Sequence, residues 1–270
     1  MGLLNQLVRI PYAYGLWMRF PFGSVRTRVD HGIFPYPHYA YGTYWSAFLA
    51  KRLGIPRITV MEFGVAGGRG LVALEKASIE IERELGVGID VFGFDSGGGM
   101  PAPIDYRDLP HIWGQGFYKM DVDKVKAKLT KTKLVLGDVR ETTGQVLGSA
   151  GLAPIGFIAF DLDYYSSTKA AFTLFDGDDA KYLPRIHCYF DDVATNDLGC
   201  MNEHVGELLA ISEFNQAHAD QKICKFEHLR LSRRRWEDWQ EKMYVHHRFT
   251  HPSYAAHVIP QLSQHTERPL

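Results

Sequence analysis

The sequence predicts an α/β fold in which a doubly wound, mostly parallel sheet of seven strands carries helices on both faces. Three observations support this prediction. Between residues 58 and 218, short apolar runs alternate with segments of helical periodicity. One run, Gly156–Phe160, is wholly apolar, which is typical of a central strand covered on both faces. Five of the runs finish at an acidic residue, namely Glu62, Asp95, Asp138, Asp161 and Asp191.

The composition is that of a soluble globular protein with material for a large core. Of 270 residues, 46% are hydrophobic and 23% are charged, so we expect one large domain, or a domain with an appendage. The net charge of −1 gives no indication of a nucleic-acid partner. No apolar run reaches the roughly 18 residues of a stable membrane span. The three cysteines lack metal-site or paired spacing, which favours a cytoplasmic location.

Residues 1–50 are predicted to form an N-terminal arm. This segment is rich in aromatic residues and is interrupted by four prolines, Pro11, Pro21, Pro35 and Pro37. Seven basic residues and one acid give residues 1–57 a charge of +6, which leaves −7 for the rest of the chain. We expect the arm to pack on the main domain, or on a second subunit in a homodimer or higher homo-oligomer. A lid over the site and contact with a membrane surface are the alternatives. The main domain is assigned to residues 51–255, and residues 256–270 to a C-terminal tail.

A glycine-rich turn follows the first predicted strand, Ile58–Met61. After Glu62, the glycines Gly64, Gly67 and Gly68 precede a helical pattern directly. Glycine allows positive φ and close approach of a ligand to the backbone, and a helix N-terminus carries partial positive charge. The turn does not place its first glycine at the end of the strand in the way that the dinucleotide fingerprint requires. It therefore predicts a nucleoside site of another kind in a Rossmann-like fold.

The remaining elements follow from periodicity and from residues that stop helices or strands. The helix after the turn is predicted to run from Leu71 to Leu85 and to end at Gly86. The further helices are predicted over residues 44–53, 121–130, 166–175 and 202–218. The further parallel strands are predicted at Asp90–Phe94, Lys133–Leu136 and Ile186–Phe190. A closing hairpin is predicted from Lys225–Leu231 and Met243–Phe249.

The acids at the strand ends predict the position of a site. The carboxyl ends of parallel strands share one edge of the sheet, where ligands bind. Asp95 lies where such folds bind ribose hydroxyls. Asp161 and Asp163 on one loop, with Asp191 and Asp192 on another, would bring like charges together, and a hard divalent cation such as Mg²⁺, Mn²⁺ or Ca²⁺ would neutralise them. In the alternative interpretation, the acids cap helices or form ion pairs.

Five motifs in order then carry a resemblance to a known family. They read EFGVAGG, FGFDSGGGMPAP, WGQGFYKMDVDKVKAKL, FDLDYYSSTKAAF and YFDD, within residues 58–215. The chain resembles the macrocin O-methyltransferase (TylF-like) family, which comprises class I, magnesium-dependent sugar O-methyltransferases. The resemblance implies S-adenosylmethionine as cofactor and a small-molecule hydroxyl acceptor, either a sugar or a glycosylated natural product.

The resemblance also implies roles for individual residues. The cofactor would be bound by Glu62, Gly64 and Gly67 at its methionine portion, with Gly68 in the same turn, by Asp95 and Ser96 at the ribose, and by Asp138 near the adenine. The metal would be bound by Asp161, Asp191 and Asp192. We expect Asp161 or Asp163 to accept the proton of the hydroxyl group.

Several alternatives remain open from the sequence. Other candidates for the base are the histidines near these loops, His111, His187 and His204. Trp113 and Phe117 are candidates for a mobile flap over the acceptor. Asp161-x-Asp163 after an apolar strand is also compatible with a metal-dependent DxD glycosyltransferase. In a third class, the chain would be a non-catalytic scaffold with a vestigial cofactor pocket.

Overall fold

The structure is a computed structural model that describes residues 10–194, 197–233 and 235–259. Seven strands form one sheet: β1 (Arg57–Phe63), β2 (Gly88–Asp95), β3 (Lys133–Leu136), β4 (Ile155–Phe160), β5 (Tyr182–Phe190), β6 (Gln221–Lys225) and β7 (Met243–Arg248). The strand order is β3-β2-β1-β4-β5-β7-β6. The first five strands are parallel, and β7 runs antiparallel to both β5 and β6. The predicted seven-stranded, mostly parallel sheet is therefore confirmed.

Helices cover both faces of this sheet. In chain order they are α1 (Pro11–Arg19), α2 (Val25–His31), α3 (Pro37–Arg52), α4 (Arg69–Leu85), α5 (Val122–Lys126), α6 (Val139–Leu147), α7 (Tyr165–Ala171) and α8 (Gly206–Ala217). Side chains of β1 alternate between two cores, since Ile58 and Val60 belong to the core that includes residues of α3 and α4, whereas Met61 and Phe63 belong to the core that includes residues of α6, α7 and α8. This alternation is what a sheet buried on both faces requires.

Helix α3 shows that much of the aromatic N-terminal segment belongs to the core. It starts at Pro37 rather than at Tyr44, and the predicted boundary between residues 50 and 51 falls inside it. It lies directly on the sheet, because a Cβ on Gly42 would be 2.2 Å from the ring of Phe157 in β4. Helix α1 packs through Trp17, which is buried against Ile33. Of the predicted C-terminal tail, residues 260–270 lie outside the described residues.

Two predicted elements have different bounds for identifiable reasons. The helix predicted over residues 121–130 ends at Lys126, because the backbone N–H groups of Thr130, Lys131 and Thr132 turn to donate to the buried carboxylate of Glu75.

The first strand of the closing hairpin was expected at residues 225–231 but lies at Gln221–Lys225. The strand is held close to the end of α8, because the amide side chain of Asn215 bonds both the N–H and the carbonyl of Ile223. The segment that was expected to be a strand instead contains a 3₁₀ turn at Leu229–Ser232. Within the described part of the chain, no helix combines the length and the apolar character needed to cross a membrane.

Candidate active site

The carboxyl ends of the parallel strands open into a cavity of about 960 Å³. Most of the site residues expected from the sequence line this cavity: Gly64, Asp95, Ser96, Asp138, Asp161, Asp163, Asp191 and Asp192. Glu62, Gly67 and Gly68 do not line it. Acids from four distant parts of the sequence thus meet in one space.

Gly64 connects the glycine turn to the β4 loop. Its φ is +86°, and a Cβ at this position would be only 1.7 Å from the carbonyl oxygen of Asp161. The N–H of Asp161 donates to the carbonyl of Phe63 at 3.0 Å, and the N–H of Gly64 donates to that of Phe94 at 2.9 Å. Backbone hydrogen bonds at Phe63 and Gly64 therefore join the end of β1 to the ends of β4 and β2.

Asp95 holds the glycine turn in place. Its Oδ2 accepts from the N–H groups of Val65 (3.0 Å) and Ala66 (2.8 Å), and its Oδ1 accepts from Gly97 (2.6 Å). Ser96 donates its hydroxyl to the carbonyl of Gly99 at 2.9 Å. A carboxylate has about four acceptor positions, and three are used here, so about one is left for a ligand hydroxyl while Asp95 holds the turn.

Glu62 lies behind the turn, with 2% of its surface exposed. Its Oε1 accepts from the hydroxyl of Tyr39 at 2.7 Å, while its Oε2 is buried with no partner among the described residues. Burial raises the pKa of Glu62 to about 8. Gly70 gives the carboxylate its space, since a Cβ there would be 2.1 Å from Oε1. Sequence reasoning missed Tyr39, because its aromatic segment was assigned to an arm.

Three carboxylates form a tight cluster at the cavity floor. One oxygen each of Asp161, Asp163 and Asp192 lies within 4.8 Å of the other two. The N–H of Asp163 donates to Asp192 Oδ2 at 3.1 Å, and the N–H of Asp192 donates to the buried Glu207 at 3.0 Å. Burial, followed by the neighbouring carboxylate charges, raises the pKa of Asp163 to about 8 and of Asp192 to about 7. The pKa of Asp161 is raised for the same reasons.

Asp191 lines the same cavity but is not in this cluster. Its carboxylate accepts from the hydroxyl of Tyr189 at 2.5 Å and from Lys242 Nζ at 3.1 Å. Burial alone would raise the pKa of Asp191, but these two partners outweigh it and hold the pKa below its usual value. His38 stacks on the Tyr189 ring with centroids 4.0 Å apart. The structure thus places Asp163, rather than Asp191, with the other two expected metal ligands.

Asp138 is a helix cap at the edge of the cavity. It accepts from the backbone N–H of Arg140 at 2.9 Å, and Arg140 also forms an ion pair with it at 2.5 Å. The Arg140 hydrogen bonds lower the pKa of Asp138. Asp138 therefore caps a helix and forms an ion pair, as the alternative interpretation of the acids expected, although its side chain still lines the cavity.

None of the three candidate histidines lines the cavity. His111 and His204 are exposed, and Nε2 of His111 lies 3.2 Å from the carbonyl of Leu198. His187 faces α3, with Nδ1 3.2 Å from the hydroxyl of Ser46. Burial lowers the pKa of His187 to about 4. Of the proposed flap residues, Trp113 lines the cavity and Phe117 does not.

The residues that line the cavity fit a divalent cation and a nucleoside cofactor, which are the two ligands expected from the sequence. Three crowded carboxylates with raised pKa values form an all-oxygen donor set that suits a hard divalent cation. The turn at Gly64 and the carboxylate of Asp95 face the same cavity, as a nucleoside ligand requires. The two sites are therefore neighbours in one space.

Comparison with known proteins shows the fold. No protein-family model and no curated protein matches the chain. The structure of CalS11, a calicheamicin methyltransferase, superposes with a TM-score of 0.50 at 20% identity, over 92% of this chain and 90% of that chain. The O-methyltransferase NovP superposes with a TM-score of 0.50 at 14% identity, over 78% and 80%. This chain has the α/β fold of these two methyltransferases.

Proposed function

We propose that this protein is an S-adenosylmethionine-dependent and divalent-metal-dependent O-methyltransferase. Its acceptor is a hydroxyl of a small molecule, either a sugar or a glycosylated natural product. The observation that carries the proposal is the shared cavity, in which the cluster of Asp161, Asp163 and Asp192 lies beside the Gly64 turn and Asp95. A methyl donor and an acceptor oxygen need such adjacency to react. The likeness to two methyltransferases supports this assignment.

Gly64, Asp95 and Ser96 would hold the cofactor. When bound, S-adenosylmethionine supplies an activated methyl group, so the protein must orient the acceptor and remove its proton. Asp95 would accept a ribose hydroxyl while it keeps the turn in shape through Val65 and Ala66. Gly64 lets the turn lie directly against the backbone of Asp161, because it has no side chain at this tight position.

Asp161, Asp163 and Asp192 would hold the metal ion. When bound, the ion lowers the pKa of a nearby hydroxyl and stabilises negative charge on its oxygen. Glu207 keeps Asp192 in place by accepting its backbone N–H. Asp191 stays ionised beside the cluster because Lys242 and Tyr189 stabilise its negative charge.

Asp161 or Asp163 would accept the hydroxyl proton. Both line the cavity beside Asp192, so an acceptor hydroxyl bound next to this cluster would lie within reach of their carboxylates.

Calorimetry with S-adenosylmethionine tests the cofactor assignment first. Binding, followed by methyl transfer to a panel of glycosylated compounds that EDTA abolishes, would support the proposal. Asp161→Ala should bind the cofactor within a few fold of the wild-type protein but should not turn over. A nucleotide sugar that co-purifies with the protein, in place of S-adenosylhomocysteine, would favour the glycosyltransferase alternative. If calorimetry detects no binding of S-adenosylmethionine, the non-catalytic scaffold is the alternative that remains.

A further inference from the structure

We propose that the acceptor is uncharged and has an apolar body outside its reacting hydroxyls, so that it is not a nucleotide-linked or phosphorylated sugar. This inference rests on the proposed function and names the substrate class of the same site. It is carried by the segment Gly99–Tyr118, which forms one wall of the cavity, and by the pairing of the cations around it.

The wall is a closed loop that is fixed at its base. The N–H of Met100 donates to the carbonyl of Phe117 at 2.8 Å, and the N–H of Gly116 donates to that of Met100 at 2.9 Å. Gly99 has a φ of +88°, and a Cβ there would be 2.6 Å from the Phe117 carbonyl oxygen. The two ends of the loop are therefore held together by backbone contacts.

Asp108 fixes the middle of the wall to helix α7. It is 1% exposed. Its Oδ2 accepts from the N–H of Ile104 (2.8 Å) and the hydroxyl of Ser166 (2.9 Å), and its Oδ1 accepts from the N–H of Ser166 (2.8 Å). The wall therefore presents a preformed surface to a ligand.

The surface that this wall presents is largely apolar. The side chains that line the cavity from it include Met100, Pro101, Ala102, Ile104, Trp113 and Tyr118. Ile104 and Tyr118 keep 69% and 53% of their surface exposed. Tyr118 also has a φ of +58°, an uncommon conformation for a non-glycine residue that is often found at functional sites. Exposed apolar side chains around a cavity mouth are typical of a ligand-binding surface.

Every cation that lines the cavity is already paired with an acid. Within the described residues these cations are Arg107, Arg140 and Lys169. Their partners are Asp105 at 2.7 Å, Asp138 at 2.5 Å and Glu213 at 2.5 Å. A phosphate would therefore find no unpaired cation among these lining residues and would have to share its partner with an acid of this chain. An uncharged ring or chain needs no cation partner, and it gains by covering the apolar side chains of the wall.

Matched pairs of probes test the inference on the full-length protein. Glucose, galactose and mannose are each offered as the 4-nitrophenyl glycoside and as the nucleoside diphosphate ester, with S-adenosylhomocysteine and Mg²⁺ present. Calorimetry gives each dissociation constant. We expect at least one aryl glycoside to bind about tenfold or more tightly than its nucleotide-linked partner. Equal or tighter binding of the nucleotide esters, or no binding of any aryl glycoside, would overturn the inference.

Two equally exposed residues supply matched variants. Ile104 and Tyr106 are each 69% exposed, but only Ile104 lines the cavity. Ile104→Ser should weaken the aryl glycoside about fivefold through lost apolar contact, whereas Tyr106→Ser should change its affinity less than about twofold. Equal effects would contradict the role of the wall. S-adenosylhomocysteine alone is titrated first, so that its failure to bind rejects the proposed function separately from the acceptor class.

Discussion

The α-carbon of Gly64 lies so close to the carbonyl of Asp161 that a methyl group on it would be 1.7 Å from the carbonyl oxygen. The glycine turn after β1 and the loop after β4 are thus in direct backbone contact. A side chain at residue 64 would therefore have to displace the backbone of Asp161, which is part of the carboxylate cluster.

Gly64→Ala should therefore disrupt the site and the fold around it. A non-glycine residue at positive φ costs about 1–2 kcal/mol, and the overlap with a backbone carbonyl adds about 1–3 kcal/mol. Urea denaturation and S-adenosylmethionine titration measure the two effects. Gly67→Ala is the control, since a Cβ there meets no atom within 4 Å. Similar behaviour of the two variants would contradict the tight contact.

The carboxylate cluster predicts which aspartates bind a metal ion. Asp163→Asn should weaken Mn²⁺ binding about tenfold or more, because it removes a charge from the group of Asp161, Asp163 and Asp192. Asp191→Asn should weaken it less, because Asp191 is already bound by Tyr189 and Lys242. Titration of Mn²⁺ followed by electron paramagnetic resonance compares them. The reverse order would restore the metal set expected from the sequence.

The raised pKa of Glu62 predicts that the folded protein becomes less stable as pH rises. Its pKa is about 8 in the folded protein and about 4.5 when unperturbed, so between these values the folded state keeps a proton that the unfolded state has released. The contribution of Glu62 to stability is therefore full below about pH 4.5 and is lost as pH rises towards 8, by at most about 1.4 kcal/mol per pH unit.

Glu62→Gln should make this pH dependence shallower. Denaturation of the ligand-free protein at pH 5, 6.5 and 8 gives the difference between wild type and variant, which separates Glu62 from the other buried acids. The glutamine oxygen can still accept from Tyr39, which limits other changes. Parallel curves for the two proteins would show that Glu62 does not titrate in this range.

The hydrogen bonds of Asp108 should stabilise the cavity wall formed by Gly99–Tyr118. Asp108→Ala removes the acceptor for Ile104 and Ser166, and unpaired buried donors cost about 1–3 kcal/mol each. Proteolysis within residues 99–118 should become faster, while S-adenosylmethionine affinity should stay within about twofold. Ser166→Ala removes only the hydroxyl bond and should have a smaller effect. Unchanged proteolysis in Asp108→Ala would show that this contact does not hold the wall.

The fold could be predicted because strand and helix periods are local properties of the chain. The strand at Lys133–Leu136 has the expected bounds, and the helix from the glycine turn ends at Gly86, as expected. The predictions were less accurate where side chains distant from the element set its end. Glu75 ends helix α5 early, and Asn215 fixes the start of β6.

The sequence by itself determined that acids follow successive parallel strands and must share one edge of the sheet. That conclusion needs only strand direction, which the alternation of strands and helices specifies. Tertiary structure alone decided which acids meet. Asp163 joins Asp161 and Asp192, while Lys242 and Tyr189 bind Asp191 and Arg140 binds Asp138. Such pairings depend on side chains that are far apart in the sequence and have no periodic signal. For the same reason, only the folded chain shows that Tyr39 reaches Glu62 from a helix that lies against the sheet.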